Sequence, residues 1–194
     1  MKNKLLDVLI FNKIVYFLAV VSIHIKPKFE KLKGKYFSSL VENKGLDFRI
    51  HGSATILSVE NLKVGDYVRI GKDAYLSCGG GLEIGNNCQI STNFTVHTKN
   101  HNIESSAIPY DKSYVTKNVS IGDSVWIGKS CTITPGVKIG EGAIIGANTI
   151  VSKDVPPFAV VVGSKQRIVG SRDQGNYLSL KEKRAYFGKL FPDN

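Results

Sequence analysis

From Val119 to Val151 a large aliphatic residue recurs at every sixth position: Ile121, Ile127, Ile133, Ile139, Ile145 and Val151. A small or β-branched residue stands two places before each, at Val119, Val125, Cys131, Val137, Ala143 and Thr149. A helix repeats near 3.6 residues and a half-buried strand at 2, so a period of six belongs to neither. Fixed self-similarity at this spacing is the mark of a solenoid, and a hexapeptide unit points to a parallel β-helix. Three units make a triangular turn, which predicts that Ile121 stacks on Ile139, Ile127 on Ile145 and Ile133 on Val151. Glycine follows the aliphatic residue at Gly122, Gly128, Gly140 and Gly146, where it is expected to serve a corner that needs a permissive backbone.

The register runs less regularly upstream: Ile50, Ile56 and Leu62, then Val64, Ile70 and Leu76 after a two-residue slip, then Ile84, Ile90 and Val96 after another. The second slip falls at Cys78 to Gly81. No Lys-Ser/Thr follows those glycines, so a wide turn is expected there and not a phosphate loop. The repeat closes near Val155-Pro156-Pro157, because prolines cannot donate the hydrogen bonds of a further central coil. Between Val96 and Val119 it lapses for one insertion, residues 97–118, and a loop of that length inside a compact repeat is usually functional.

Residues 5–23 are apolar nearly all round when wound as a helix, broken by Asp7, Asn12, Lys13 and Ser22. The longest unbroken run, Ile14 to Val21, falls short of the roughly 18 residues of a transmembrane span. No small-residue cleavage site follows it, as a signal peptide would require. Such a helix must bury its surface on its own solenoid or a neighbouring subunit, the first expectation, or in a membrane interface with Lys2, Lys4 and Lys13 toward headgroups. Residues 24–49, with Pro27 and Gly34, read as a connector and a short helix or turn. Past Gly170, Leu178, Leu180, Tyr186, Phe187 and Leu190 alternate with Lys181, Lys183, Arg184 and Lys189 as a basic amphipathic helix expected to cover the last coil. Three regions result: an N-terminal helical, basic extension 1–49, a β-helix 50–170 and a basic helical tail 171–194.

Charge adds a location to this outline. The net +10 lies at the ends: residues 1–49 hold ten Lys/Arg against four Asp/Glu, residues 165–194 hold seven against three, and the stretch between holds nine of each. A nucleic-acid reader would put cations and aromatic platforms on the folded face, so nucleic acid is disfavoured. Basic ends suit an anionic membrane surface or an anionic substrate, or are simply solvated tails. Cys78, Cys88 and Cys131 lack CxxC spacing and read as reduced core residues of a cytoplasmic protein, membrane-peripheral if the N-terminal helix meets lipid.

The segment SIGDSVWIGKSCTITPGVKIGEGAIIGANTIVSKDVPPFAVVVGSKQRIV resembles the hexapeptide-repeat acyltransferases, within them the galactoside, maltose and polysaccharide O-acetyltransferase branch. The likeness covers about residues 50–170. It implies a mainly β fold, a left-handed parallel β-helix with a protruding loop and flanking helices. It further implies a homotrimer with active sites between subunits, and an acetyl-CoA-dependent transfer to a hydroxyl of a sugar or surface-polysaccharide precursor without a required metal.

Acyl transfer from a thioester to a hydroxyl needs a base near neutral pH, and imidazole suits it. His101 stands where the family carries its catalytic histidine and is assigned as general base. His97 either orients His101 or substrate, or caps the last strand before the loop. By the same resemblance Trp126 flanks the donor groove, and the N–H of Lys129 lies near the thioester oxygen. Gly146 and Ala147 allow close backbone approach, while Lys153 and Arg167 meet the nucleotide phosphates. Trp126 has a second reading as a core or trimer-contact aromatic. Ser77 replaces an Asn that many relatives use to hold the acceptor sugar, and Lys165 replaces a Pro at the exit corner. An amine acceptor, an antibiotic or serine acceptor, a zinc site at His51, His97 and His101 as in hexapeptide carbonic anhydrases, and a non-catalytic trimeric scaffold on a membrane or polyanion are the competing readings.

Overall fold

The computed structural model of the chain describes residues 2–102, 112–163, 166–171 and 173–185, with the side chains of 2–12, 14, 17–19 and 169 outside the description. The tail residues Tyr186, Phe187, Lys189 and Leu190 and the exit residue Lys165 therefore lie outside the described residues.

The body is a parallel β-solenoid with three faces. The first face stacks Arg49–Ile50, Arg69–Ile70, Gln89–Ile90, Trp126–Ile127, Ile144–Ile145 and Ala159–Val162. Ala54–Leu57, Ala74–Ser77, Thr95–His97, Thr132–Ile133 and Ile150–Val151 form the second, and Leu62–Val64, Leu82–Ile84, Val119–Ile121 and Lys138–Ile139 the third. Ile121 pairs with Ile139, Ile127 with Ile145 and Ile133 with Val151, as the period predicts. In the earlier coils Ile50, Ile70 and Ile90 align at a step of twenty, so the two-residue slips are wider turns. The aliphatic columns point inward: Leu62, Ile70, Leu76, Ile127 and Ile133 are fully buried. Each such burial contributes roughly 1.5 to 3 kcal/mol against exposure.

The corner glycines act differently from expectation. The left-handed backbone sits two positions later, at Ser124 (φ 56°), Ser130 (φ 57°), Gly142 (φ 68°) and Asn148 (φ 57°), and not at Gly122, Gly128, Gly140 or Gly146. What those four supply is space. A Cβ on Gly128 would stand 2.6 Å from the Ala147 nitrogen, and one on Gly140 2.4 Å from that of Pro157, so the next coil could not close down.

Two further expectations need correction. The segment 24–49 is no connector for most of its length: helix α1 (Lys2–Leu40) runs through Pro27 and Gly34. Lysine-rich sequence favours helix, and Gly34 is needed for contact, since a Cβ there would stand 2.1 Å from the Ile50 carbonyl oxygen. The solenoid also outlasts its prolines, because Ala159–Val162 still pairs with Ile144–Ile145 before Arg167–Ser171 folds back antiparallel along the edge. Helix α2 (Gln174–Glu182), whose Asp173 side chain caps it by accepting from Asn176 N–H at 2.9 Å, does cover the last coil. It does so through Tyr177, packed on Phe158 and donating to Glu141 Oε1 at 2.7 Å, while Leu178 and Leu180 are exposed.

Candidate active site

The insertion leaves the solenoid where the second face ends. Lys99–His101 pairs antiparallel with Tyr114–Thr116, placing His101 opposite Tyr114 in a two-stranded arm. Thr98, fully buried at its base, donates its hydroxyl to Ser77 O at 2.7 Å and accepts from Gly80 N–H at 2.7 Å. The wide glycine turn at Gly79 to Gly81 therefore anchors the arm: a Cβ on Gly80 would stand 2.2 Å from the Thr98 carbonyl oxygen.

His97 and Ser77 are register partners on adjacent coils. His97 is half-buried with its ring 5.5 Å from that of Tyr75, whereas Ser77 is 3% exposed and offers little surface within one chain. His101 is half-buried, its ring 4.5 Å from Tyr114. The Lys99 ammonium lies 4.6 Å from the centre of the same Tyr114 ring, so the arm's base is cationic. Tyr75, Lys99 and Tyr114 were not foreseen as neighbours. Tyr75 could have been found as the outward residue of its strand, two before Ser77; Tyr114 depends on the arm's pairing, which no repeat reveals.

A second group lies at the corner between the first and second faces. Lys129 and Ala147 occupy equivalent positions of successive coils, with Asn148 N–H donating to Lys129 O at 2.8 Å. Neither the Lys129 N–H nor the Ala147 N–H has an acceptor among the described residues. The corner between the third and first faces differs only in its early coils, since Asp123 and Glu141, which match Lys129 and Ala147, also have N–H groups with no acceptor among the described residues. In the early coils a side-chain ladder takes the donors of this corner, Leu46 N–H by Asp66 (2.7 Å), Asp66 N–H by Asn86 (2.9 Å) and Asn86 N–H by Asp123 (2.8 Å). Among the described residues, outward amides therefore remain at both corners in the coils from Val119 onward, and the ladder takes them up only in the coils before it.

Trp126 is 56% exposed on the first face, which removes its reading as a core aromatic. It borders a cleft of about 640 Å³ with Asn87, Gln89 and Tyr177 beneath α2. Arg167 is exposed opposite Val162, whose methyl lies beside Gly146, so it belongs with the corner at Lys129. Lys153 is exposed beyond the second face, on the same edge as His97. The structure gathers Ser77, His97 and His101 on one edge of the second face and Lys129, Gly146, Ala147 and Arg167 on the other. His51 is on the first coil against α1, away from His97 and His101, and among the described residues no three metal-ligating side chains converge.

Models of known families match in two places, the bacterial transferase hexapeptide (six repeats) over residues 118–153 and the hexapeptide repeat of succinyl-transferase over 61–97. An Escherichia coli K12 protein named as a lipopolysaccharide biosynthesis O-acetyl transferase is 30% identical over 144 residues, 70% of this chain and 69% of that protein. The chain belongs to the hexapeptide-repeat acetyltransferase family. The galactoside O-acetyltransferase of the same organism is 30% identical over 99 residues, and the match spans about half of each chain, 50% of this one and 48% of that one. A solved galactoside acetyltransferase in complex with coenzyme A superposes with a TM-score of 0.62 at 25% identity, covering 73% of this chain and 72% of that one. The two family models match coils on both sides of the arm.

Proposed function

We propose that the protein is an acetyl-CoA-dependent O-acetyltransferase acting on a sugar hydroxyl of a surface-glycan precursor, on the cytoplasmic side of a membrane, as a homotrimer. The observation that carries this reading is the pairing of two edges. One bears a half-buried histidine on a structured arm, and the other bears backbone N–H groups with no acceptor among the described residues. On one chain they flank opposite sides of the second face, so a neighbouring copy is needed to bring an arm to an open corner.

In this mechanism His101 takes the acceptor hydroxyl proton as that oxygen attacks the acetyl carbonyl, and the thiolate of coenzyme A leaves. The Lys129 N–H, being preorganised and unspent, stabilises the negative charge on the carbonyl oxygen. Ala147 N–H and Gly146 line the pantetheine path, Trp126 bounds it, and Lys153 and Arg167 attract the phosphates. Ser77 and His97 position the acceptor, Ser77 more through its carbonyl grip on Thr98 than through exposed surface. The names of relatives, a lipopolysaccharide O-acetyl transferase and a galactoside O-acetyltransferase, support a hydroxyl over an amine.

The test is thiol release from acetyl-CoA over a panel of sugars and amino sugars. Turnover with a hydroxyl acceptor that falls in His101→Ala supports the reading. Turnover only with amines would move it to N-acetyl transfer, and none with any acceptor would leave a scaffold.

A further inference from the structure

Helix α1 meets the solenoid through one side. Glu30 accepts from Ser53 N–H at 3.2 Å, Gly34 lies against the Ile50 carbonyl, and Ser38 accepts from Ile50 N–H at 2.8 Å. These residues are four apart and share one face of a helix. Ile25, Phe29, Leu32 and Tyr36, at spacings of four, three and four, fall on the opposite face and are 57%, 56%, 62% and 60% exposed. At 100° per residue that apolar stripe is bounded by Lys28 and Lys35 on one side and by Lys26 and Lys33 on the other. Lys33 lies 5.1 Å from the centre of the Phe29 ring and its ammonium pairs with Glu30 Oε1 at 2.9 Å, so Lys26, Lys28 and Lys35 are the edge lysines left for headgroups. N-terminal to Glu30 the helix continues for 28 residues, about 42 Å of helix at 1.5 Å per residue. Over that length Val15, Tyr16 and Ile23 are exposed on further sides, and the sequence from Leu5 to Val21 is apolar nearly all round.

We infer that α1 docks the protein on an anionic lipid bilayer, the stripe from Ile25 to Tyr36 in the interface and the flanking lysines among the headgroups. The single seam on the solenoid leaves most of the apolar surface of the helix uncovered, and an interfacial bilayer contact takes up the face opposite that seam. An apolar stripe bordered by lysines on both edges buries its face in the headgroup boundary while the ammonium groups extend to phosphates. A second copy of this chain would meet the stripe with rows of the same sign, whereas anionic lipid supplies the opposite sign. This docking does not depend on the acetyl-transfer reading, although it would hold such chemistry beside membrane-borne acceptors.

Co-sedimentation of the full-length protein with phosphatidylcholine vesicles, with and without phosphatidylglycerol, tests it. Binding is expected at least about tenfold stronger to the anionic vesicles and to weaken as sodium chloride rises. Replacing Phe29 and Leu32 by Ser, and separately Lys26, Lys28 and Lys35 by Gln, should each lower it about tenfold or more, with the mass by light scattering unchanged. Equal binding to both vesicle types, or variants that bind like the parent, overturns the inference. A stripe variant that loses oligomeric mass but keeps vesicle binding also overturns it and assigns the stripe to a copy. Should the Ser variant not fold, the Gln variant decides, since it leaves the apolar stripe and helix propensity in place.

Discussion

His101 faces Tyr114 across the two-stranded arm, their ring centres 4.5 Å apart, and Tyr114 in turn lies under the Lys99 ammonium. The base proposed for catalysis is thus oriented by an aromatic wall contributed by the returning strand of its own insertion. His101→Ala should lower kcat about 10²- to 10⁴-fold, the usual worth of a positioned base, with acetyl-CoA affinity retained. Tyr114→Phe should stay close to the parent, because the ring is kept, whereas Tyr114→Ala should lower kcat more than it raises KM. Steady-state kinetics on the three variants checks the set, and a fully active His101→Ala would remove the assignment.

Gly128 and Gly170 separate the two uses of glycine in this fold. A Cβ on Gly128 would stand 2.6 Å from backbone of the next coil, while one on Gly170 meets nothing within 4 Å. Gly128→Ala should cost about 1 to 3 kcal/mol, the range for overpacking a close contact. Gly170→Ala should be nearly neutral. Thermal unfolding of both variants measures the difference, and equal melting temperatures would contradict the stacking role.

The solenoid was legible because its repeat is local: each hexapeptide places one aliphatic residue inward whatever its neighbours do, so Ile121 over Ile139 follows from spacing alone. The corner glycines were located but misread, since Gly128 is constrained by the coil above it and not by its own φ. Helix α1 was read too short because Pro27 and Gly34 signal breaks, and only the first coil explains a glycine at 34. At the site, His101 stood out by residue type in an irregular stretch. Tyr114 did not, because its position depends on a pairing across residues that carry no period. The side-chain ladder of the early coils was not legible either. Asp66, Asn86 and Asp123 look like ordinary turn residues until their carbonyl and carboxylate oxygens are found on the amides of the coil before.

Glu141 ties α2 to the last coils by accepting from Tyr177 and Lys181. Burial alone would raise its carboxyl pKa, but the hydrogen bonds from Lys181 and Tyr177 hold it below the ordinary 4.5. A pKa depressed in the folded state means that the contact's stability is present above pH 4.5 and is lost as pH falls through the lower folded value. Amide protection in residues 174–182, taken relative to the intrinsic exchange rate at each pH, should therefore fall below that pH. Glu141→Gln should exchange faster at neutral pH and lose this acid dependence. An unchanged exchange rate in the variant would show that Phe158 and Tyr177 packing alone seats the helix.

Cys88 is fully buried, its thiol donating to Gly122 O at 3.1 Å, and burial pushes its pKa up to about 12; Cys78, also fully buried, is raised to about 12 as well. Neither is a nucleophile at neutral pH, since the thiolate is the reactive form. Alkylation by iodoacetamide at pH 8 should follow global unfolding of the coils. Rapid modification of the native protein would show the core to be open.

The backbone role given to Lys129 has a substitution that isolates it. Ser130 supplies the left-handed position of the turn (φ 57°), so Lys129 stands where a type II turn accepts proline. The chain uses that arrangement itself at Thr134-Pro135-Gly136, with Gly136 at φ 89°. Lys129→Pro should consequently keep the fold while deleting the one N–H proposed to meet the carbonyl oxygen, and Lys129→Ala should delete only the side chain. If the N–H stabilises developing charge, the proline variant should lose about 10²- to 10³-fold in kcat, the effect of removing one such donor. The alanine variant should remain within a few-fold of the parent, because its amide is intact. Both should melt near the parent temperature, since the Lys129 N–H has no acceptor to forfeit among the described residues. Equal kinetics for the two variants would place the oxyanion donor elsewhere, and a large loss in Lys129→Ala alone would transfer the role to the ammonium.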